Sequence, residues 1–511
     1  MTFENPLVET FQNTKTPESC IMVIFGATGD LTARKLIPAL YNLERDGQLP
    51  AHFVCIGFAR RPKTTEQFRE EMLNAVNQFS RSKPVDPQLW RTFSERLHYH
   101  QGNFDEDNSY ETLKQTMQKF DNEVGTQGNR LYYLSVQPSD FITIVDHLSA
   151  HELIYPIQTK NKWSRVIIEK PFGRDTDTAV QLQQDLTKHL DESQIFRIDH
   201  YLGKETVQNL LVFRFTNPIF ETIWNNQHID NVQITVAEEI GIGTRGRFWE
   251  EAGMVRDIVQ NHVMQLLTLV AMEPPTTLSA DDIRDEKVKV LESIKPIPLA
   301  KLYDFAIRGQ YGPGYINGVP VIGYRQENNV NPNSNIETYA AFQLSIDNWR
   351  WAGVPFFIRA GKRLPLRSTE IAITFKSAPG NLFKESSSVI DPNVLVIRIQ
   401  PDEGISIKFN CKVPVLSTVI QPVKMDFRYG SYFGSSPPEA YERLICDCMG
   451  GDSTLFARDD EVHHSWKLFT PVLEVWGNTT PTDFSDYPCG IWGPKAADHM
   501  IEKTGRKWRI I

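Results

Sequence analysis

The run Arg197-Ile198-Asp199-His200-Tyr201-Leu202-Gly203-Lys204-Glu205 places an arginine, two acids, a histidine, a tyrosine and a lysine within nine positions. A stretch so dense in ionisable groups is costly to bury unless the groups serve one another or a ligand. The plainer reading is a solvated helix start, with Asp199 as its cap and Lys204-Glu205 on a wet face. A second constellation is Arg256-Asp257-Ile258-Val259-Gln260-Asn261-His262. On an α-helix, Ile258, His262, Leu266 and Val270 share one stripe, which by itself describes a core histidine. The polar neighbours Arg256, Asp257 and Asn261 argue for more than packing. At about 3.6 residues per turn, Asp257 and His262 lie roughly 140° apart. They can share a ligand only across the helix edge, or if the turn is irregular.

Both runs need a scaffold. Cys20-Ile21-Met22-Val23-Ile24-Phe25 is a continuous apolar run, as expected of a strand buried on both faces of a parallel sheet. Gly26-Ala27-Thr28-Gly29-Asp30-Leu31 follows at once, and 32–43 reads as a helix with Leu36, Ile37 and Leu40 on its apolar side. Strand, glycine turn and helix aim backbone N–H groups at a pyrophosphate, although Thr28 stands where G-x-G-x-x-G has its second glycine. The next strand, 53–58, ends at Ala59-Arg60-Arg61. An acid there would favour NAD; two arginines suit a 2′-phosphate, so the sequence points to NADP.

Strand candidates at 97–99, 130–136 and 165–168 continue the βα alternation of a doubly wound parallel sheet. Asn103-Phe104, Val136-Gln137-Pro138 and Glu169-Lys170-Pro171-Phe172-Gly173 fall at strand ends, where such folds bind ligands. Lys170, ahead of a φ-fixing proline, is placed to reach a substrate oxygen. After residue 200 the alternation stops. Apolar/polar alternation around 232–238, 338–346, 371–375, 395–399 and 405–409 predicts a mostly antiparallel sheet. Helices are expected at 204–215, 252–271, 437–449 and 459–475, with loops at 311–319, 328–335 and 432–438. The expected architecture is an α/β Rossmann-type coenzyme domain over 1–200. A larger α+β domain over 201–511, for substrate and oligomerisation, follows it.

These motifs, together with Arg359-Ala360-Gly361-Lys362, resemble those of the glucose-6-phosphate dehydrogenase family, in the same order and over nearly the whole chain. The resemblance implies oxidation of glucose 6-phosphate to 6-phosphoglucono-1,5-lactone with NADP, the first step of the oxidative pentose phosphate route. It implies that His262 is the general base and Asp199 its orienting partner. His200, Tyr201, Lys204 and Arg367 would bind the phosphate. Lys170, Glu238, Asp257 and Lys362 would hold the sugar hydroxyls. Gly26, Ala27, Thr28, Gly29, Asp30, Leu31, Arg60 and Lys170 would line the cofactor. Thr28 replaces a serine common in the family, and Phe141 a tyrosine found in some members. Pro392 stands where animal members carry a basic residue for a second NADP, so none is assigned. Dimers or tetramers of identical chains are implied, with an exposed sheet face as the natural surface.

The chemistry calls for a base and a hydride acceptor, and the sequence shows no metal motif: Cys446 and Cys448 are the only close cysteine pair. Arg359, Lys362, Arg363 and Arg367 cluster in what reads as one short loop, suited to an anionic substrate. A net charge of -9 argues against nucleic acid. No apolar window is long enough for a membrane span. Residues 1–17 lack the pattern of a signal peptide, and six scattered cysteines fit a reducing cytoplasm. Two other readings remain. A dehydrogenase of unphosphorylated aldoses would leave His200, Lys204 and Arg367 nothing to bind. An inactive NADP-binding sensor would have no need of both Asp199 and His262.

Overall fold

The structure, a computed structural model, describes residues 16–380, 382–383, 390–433, 438–479, 481, 484 and 486–511. The reading of 1–17 lies outside these residues apart from its last two, as do most of the 432–438 loop and the first residue of the 437–449 helix. Two compact units are present, the first comprising Met1–Phe172, Val180–Gly203 and Pro438–Asp459. The second comprises Gly173–Ala179, Lys204–Pro437 and Asp460–Ile511. Where the sequence pointed to one cut at residue 200, the chain crosses back twice.

The first unit is built on β1 (Cys20–Phe25), β2 (Phe53–Ala59), β3 (Leu97–Gln101), β4 (Arg130–Leu134), β5 (Ser164–Glu169) and β6 (Ile195–Ile198). These are parallel, in the order β6-β5-β4-β1-β2-β3, with the antiparallel strand Phe456–Ala457 added beside β6. The order reverses between β4 and β1, which opens a crevice beyond their C-terminal ends. Every residue of β1 is fully buried, as its unbroken apolar run requires of a strand covered by helices on both faces. The returning segment is held by charge: Glu442 of helix Ala440–Gly450 takes two bonds of 2.8 Å from Arg81 and one of 2.9 Å from Asn42. Nothing in local periodicity announces such a pairing.

The second unit carries an eight-stranded sheet around β7 (Ile229–Ala237). On one side β7 meets Ser368–Phe375, then Val394–Gln400, Gly404–Lys412 and the edge strand Ile420–Arg428. On the other side lie Pro355–Gly361, Tyr339–Ser345 and Ala306–Gly309. Every neighbouring pair is antiparallel except β7 with Pro355–Gly361. The sequence missed Pro355–Gly361, whose seven buried residues do not alternate, and the exposed edge strand. Overlapping the expected 311–319 loop and running past its end, Gly314–Ile316 pairs with Val319–Val321. Among the described residues, no helix is long and apolar enough to cross a membrane. All six cysteines are free.

Candidate active site

In the first unit, the glycine turn sits at the end of β1. Gly26 has φ +83°, and a Cβ there would lie 2.2 Å from the Ser135 carbonyl oxygen. Only glycine fits both the left-handed backbone and this close approach. The Gly26 and Ala27 N–H groups donate to Phe58 O at 3.0 and 3.2 Å, and Gly29 N–H closes the turn onto Gly26 O at 2.9 Å. Thr28 and Asp30 reach solvent, and Asp30 pairs loosely with Arg34 at 3.5 Å. The helix beginning at Asp30 passes through a π-helical segment, Thr32–Leu36, before the α-helix Ile37–Arg45. The Gly26, Ala27 and Gly29 N–H groups are spent within the protein, so it is the N–H groups at the start of the following helix that fit a pyrophosphate. Beyond β2, Arg60 and Arg61 are exposed, and among the described residues neither guanidinium has an ion-pair partner. Tyr99 fixes the turn by donating its hydroxyl to Ala59 O at 3.1 Å and to Arg61 O.

Adjacent strands β5 and β6 end at Glu169 and Ile198, which pair in register. Lys170 and Asp199 therefore emerge at the same edge. Asp199 is buried, and one of its carboxylate oxygens accepts the Tyr201 N–H at 3.0 Å. Tyr201 is buried and its ring meets that of half-buried His200 edge-on, at 5.1 Å. Glu169, beneath them, accepts the Tyr133 and Tyr441 hydroxyls. Burial pushes its carboxyl up, the two hydroxyls oppose this, and the Asp199 charge adds to it. Arg197 does not join the site: it is buried in a two-pronged pair with Glu192, at 2.6 and 2.9 Å.

In the second unit, His262 and Asp257 are buried, and they lie on a π-helix, Val255–Val263, rather than on an α-helix. Its i→i+5 pairing sets residues five apart above one another. Asp257 and His262 thus come to one side, and the 140° separation expected of an α-helix does not apply. The local causes are legible. The helix before it breaks at Gly253 (φ 67°, ψ -178°). The buried Glu337 then accepts the Val255 N–H on its carboxylate at 3.1 Å and the Met254 N–H on its backbone carbonyl at 3.1 Å. Asn261 donates its amide to Arg256 O at 2.8 Å and accepts the His262 N–H at 2.7 Å. Such side-chain bonds compete with the i→i+4 ladder. Burial pushes the Glu337 carboxyl up.

The one parallel pair in the sheet has a direct consequence. Because β7 and Pro355–Gly361 run the same way, Glu238 and Lys362 leave the sheet side by side. Glu238 N–H donates to Gly361 O at 2.9 Å, and Lys362 pairs with the Glu238 carboxylate. The Lys362 side chain is fully buried, with its ammonium 4.5 Å from the centre of the Trp249 ring. The carboxylate and the ring compensate the buried cation, and the partly exposed Glu238 is the side of the pair that solvent reaches. Arg359, read from sequence as part of a cationic loop, lies inside the strand. Its guanidinium bonds Thr235 at 3.1 Å and Arg509 O at 2.7 Å, between the rings of Trp492 and Trp508. Arg363 faces Glu327 at 3.6 Å.

Lys204, at the N-terminus of helix Glu205–Thr216, and Arg367 both donate to the Gln400 side-chain oxygen, Arg367 at 3.3 Å. Gln400 in turn donates to Thr369 at 3.1 Å. Sequence reasoning missed Gln400; the available signal was a polar residue ending an apolar strand, just before Pro401. It also missed Glu337 and Trp249, which carry no motif.

The comparisons with known proteins agree with this layout. The family model described as "Glucose-6-phosphate dehydrogenase, NAD binding domain" matches residues 23–209, and that of the C-terminal domain matches 211–509. The chain is 55% identical to the glucose-6-phosphate 1-dehydrogenase of Chlamydia pneumoniae, over 99% of this chain and all of that one. It is 43% identical to that of Treponema pallidum, over 96% of this chain and 94% of the relative. Among solved structures, a glucose-6-phosphate dehydrogenase in complex with its substrate superposes with a TM-score of 0.88 at 37% identity, covering 97% of this chain and 100% of that one. With both units matched, the chain belongs to the glucose-6-phosphate dehydrogenase family.

Proposed function

We propose that the chain oxidises glucose 6-phosphate at C1 to 6-phosphoglucono-1,5-lactone, with NADP rather than NAD as the hydride acceptor. Dehydrogenation of glucose 6-phosphate with a pyridine nucleotide is the activity of the family to which it belongs. The preference for NADP rests on Arg60 and Arg61, exposed at the end of β2, where a 2′-phosphate would find charge-assisted donors. The turn Gly26-Ala27-Thr28-Gly29-Asp30-Leu31 is assigned to the pyrophosphate, and Lys170 to the nicotinamide side of the substrate.

The nucleotide, when bound, takes up the hydride from C1. His262 is assigned to remove the proton from the anomeric hydroxyl, a task for a group titrating near neutrality. Asp199 is assigned to hold that imidazole in one tautomer and to stabilise the imidazolium. Lys170, Asp257 and the Glu238–Lys362 pair are assigned to the sugar hydroxyls. His200, Tyr201, Lys204 and Arg367 are assigned to the phosphate. A homodimer or homotetramer and a cytoplasmic setting complete the proposal. Self-association is supported by the edge strand Ile420–Arg428, which leaves Val423 and Met425 exposed.

The observation that carries a phosphorylated substrate is the convergence of Lys204 and Arg367 on one neutral amide oxygen. Two cations meeting at one neutral amide oxygen match a dianion, and a neutral sugar would offer them no charge. Initial rates followed at 340 nm should be high with glucose 6-phosphate and NADP. They should be far lower with glucose at the same concentration, and lower with NAD. Comparable rates with glucose would overturn the phosphate site, and comparable kcat/KM with NAD would overturn the coenzyme preference.

A further inference from the structure

Away from these motifs, two helices of the first unit face each other with ligating side chains one turn apart. Helix Asp107–Val124 carries Asp107 and Glu111, and helix Phe141–Ala150 with its cap carries His147 and His151. One Asp107 carboxylate oxygen lies 3.0 Å from His147 Nδ1 and 3.3 Å from His151 Nε2. Glu111 lies 3.8 Å from the other His151 nitrogen, Nδ1. Both imidazoles stack on the buried Tyr110 ring, with planes inclined by 10° and 18°. The rings therefore point in fixed directions.

We infer that Asp107, His147 and His151 form a binding site for a divalent transition-metal ion of the zinc class. Zinc bonds of about 2.0–2.1 Å in tetrahedral geometry set neighbouring ligand atoms roughly 3.3 Å apart. The two separations from Asp107 match that spacing, and the three ligand atoms all lie within 4.8 Å of one another. At 3.8 Å from the other His151 nitrogen, Glu111 is near enough to serve as the outer carboxylate of a ligating histidine. Asp105 and Asp140, whose charges also bear on Tyr110, add to the local negative field. Asp107 is largely exposed, so water completes the coordination.

The test is zinc titration of the chelator-stripped full chain at pH 7.5 by calorimetry, with X-ray absorption of the loaded protein. One tight equivalent with two imidazoles and no sulfur in its shell is expected. His147→Ala should weaken that equivalent at least tenfold, and Glu111→Gln by about 10–100-fold as an outer partner. Asp107→Asn, at an exposed position, should weaken it comparably. Zinc bound equally well by Asp107→Asn and His147→Ala, a sulfur-containing shell, or no equivalent tighter than millimolar would each overturn the inference.

Discussion

Gly253→Ala should cripple catalysis without touching any group that contacts substrate. Gly253 adopts φ 67° and ψ -178°, a region open essentially to glycine alone, and forcing another residue there costs about 1–3 kcal/mol. The added Cβ would also lie 2.5 Å from one Glu337 carboxylate oxygen and 2.9 Å from the carboxyl carbon. Glu337 is 4% exposed, so it cannot swing into solvent, and moving it endangers the bond to Val255 N–H that starts the π-helix. Strain alone, at about 1–3 kcal/mol, corresponds to roughly a 5- to 150-fold loss in population of the native arrangement. If catalysis needs Asp257 and His262 on one side, kcat/KM at 340 nm should fall by that factor or more. Amide exchange across Val255–Val263 should accelerate in step. Adding Glu337→Ala removes the clash but also the carboxylate that holds the Val255 N–H, so the double variant should be no better protected from exchange than Gly253→Ala alone. Gly253→Ala with unchanged kcat/KM and unchanged exchange would refute the reasoning.

Other outcomes follow from the same residues. His262→Asn should lower kcat by about 10²–10⁴-fold while KM for both substrates changes only a few-fold; retention of more than a tenth of the rate would make it a core histidine. Lys204→Ala should raise KM for glucose 6-phosphate about 10- to 100-fold, from about 1.5–3 kcal/mol for a charged hydrogen bond, with KM for NADP little changed. Arg60→Ala should weaken NADP by a similar factor and leave NAD nearly unaffected, and equal losses would count against the 2′-phosphate assignment. Burial, with Arg69 adding to it, pushes the His98 imidazole down to about 4. Between pH 6.5 and 4 the unfolded chain holds a proton that the folded chain rejects, so stability is full above pH 6.5 and falls as pH drops toward 4. His98→Gln should flatten this acid dependence by about 1–2 kcal/mol once screening is allowed for, as read from denaturant midpoints between pH 7 and 4.5.

The sequence by itself determined what local chemistry dictates. The apolar run of β1, the glycine turn and the two arginines after β2 are consecutive residues whose roles depend on their neighbours, so the Rossmann half was legible. So were Tyr339–Ser345 and Val394–Gln400, whose last residues alternate between buried apolar and half-exposed polar side chains with a period of two. Tertiary structure decided the rest. The parallel pairing of β7 with Pro355–Gly361, two segments more than a hundred residues apart, is what sets Glu238 beside Lys362. It is also what turns Arg359 from a supposed loop cation into a buried strut. Asp257 and His262 share a side because Glu337, from a distant segment, captures the Val255 N–H and the ladder shifts to i→i+5. An α-helical wheel drawn from the sequence assumes that ladder and cannot predict its change. Gln400 took its place between Lys204 and Arg367 only when three separate segments folded together. Periodicity reports which face of an element is buried; which residues then meet is fixed by long-range pairing, and no local pattern encodes it.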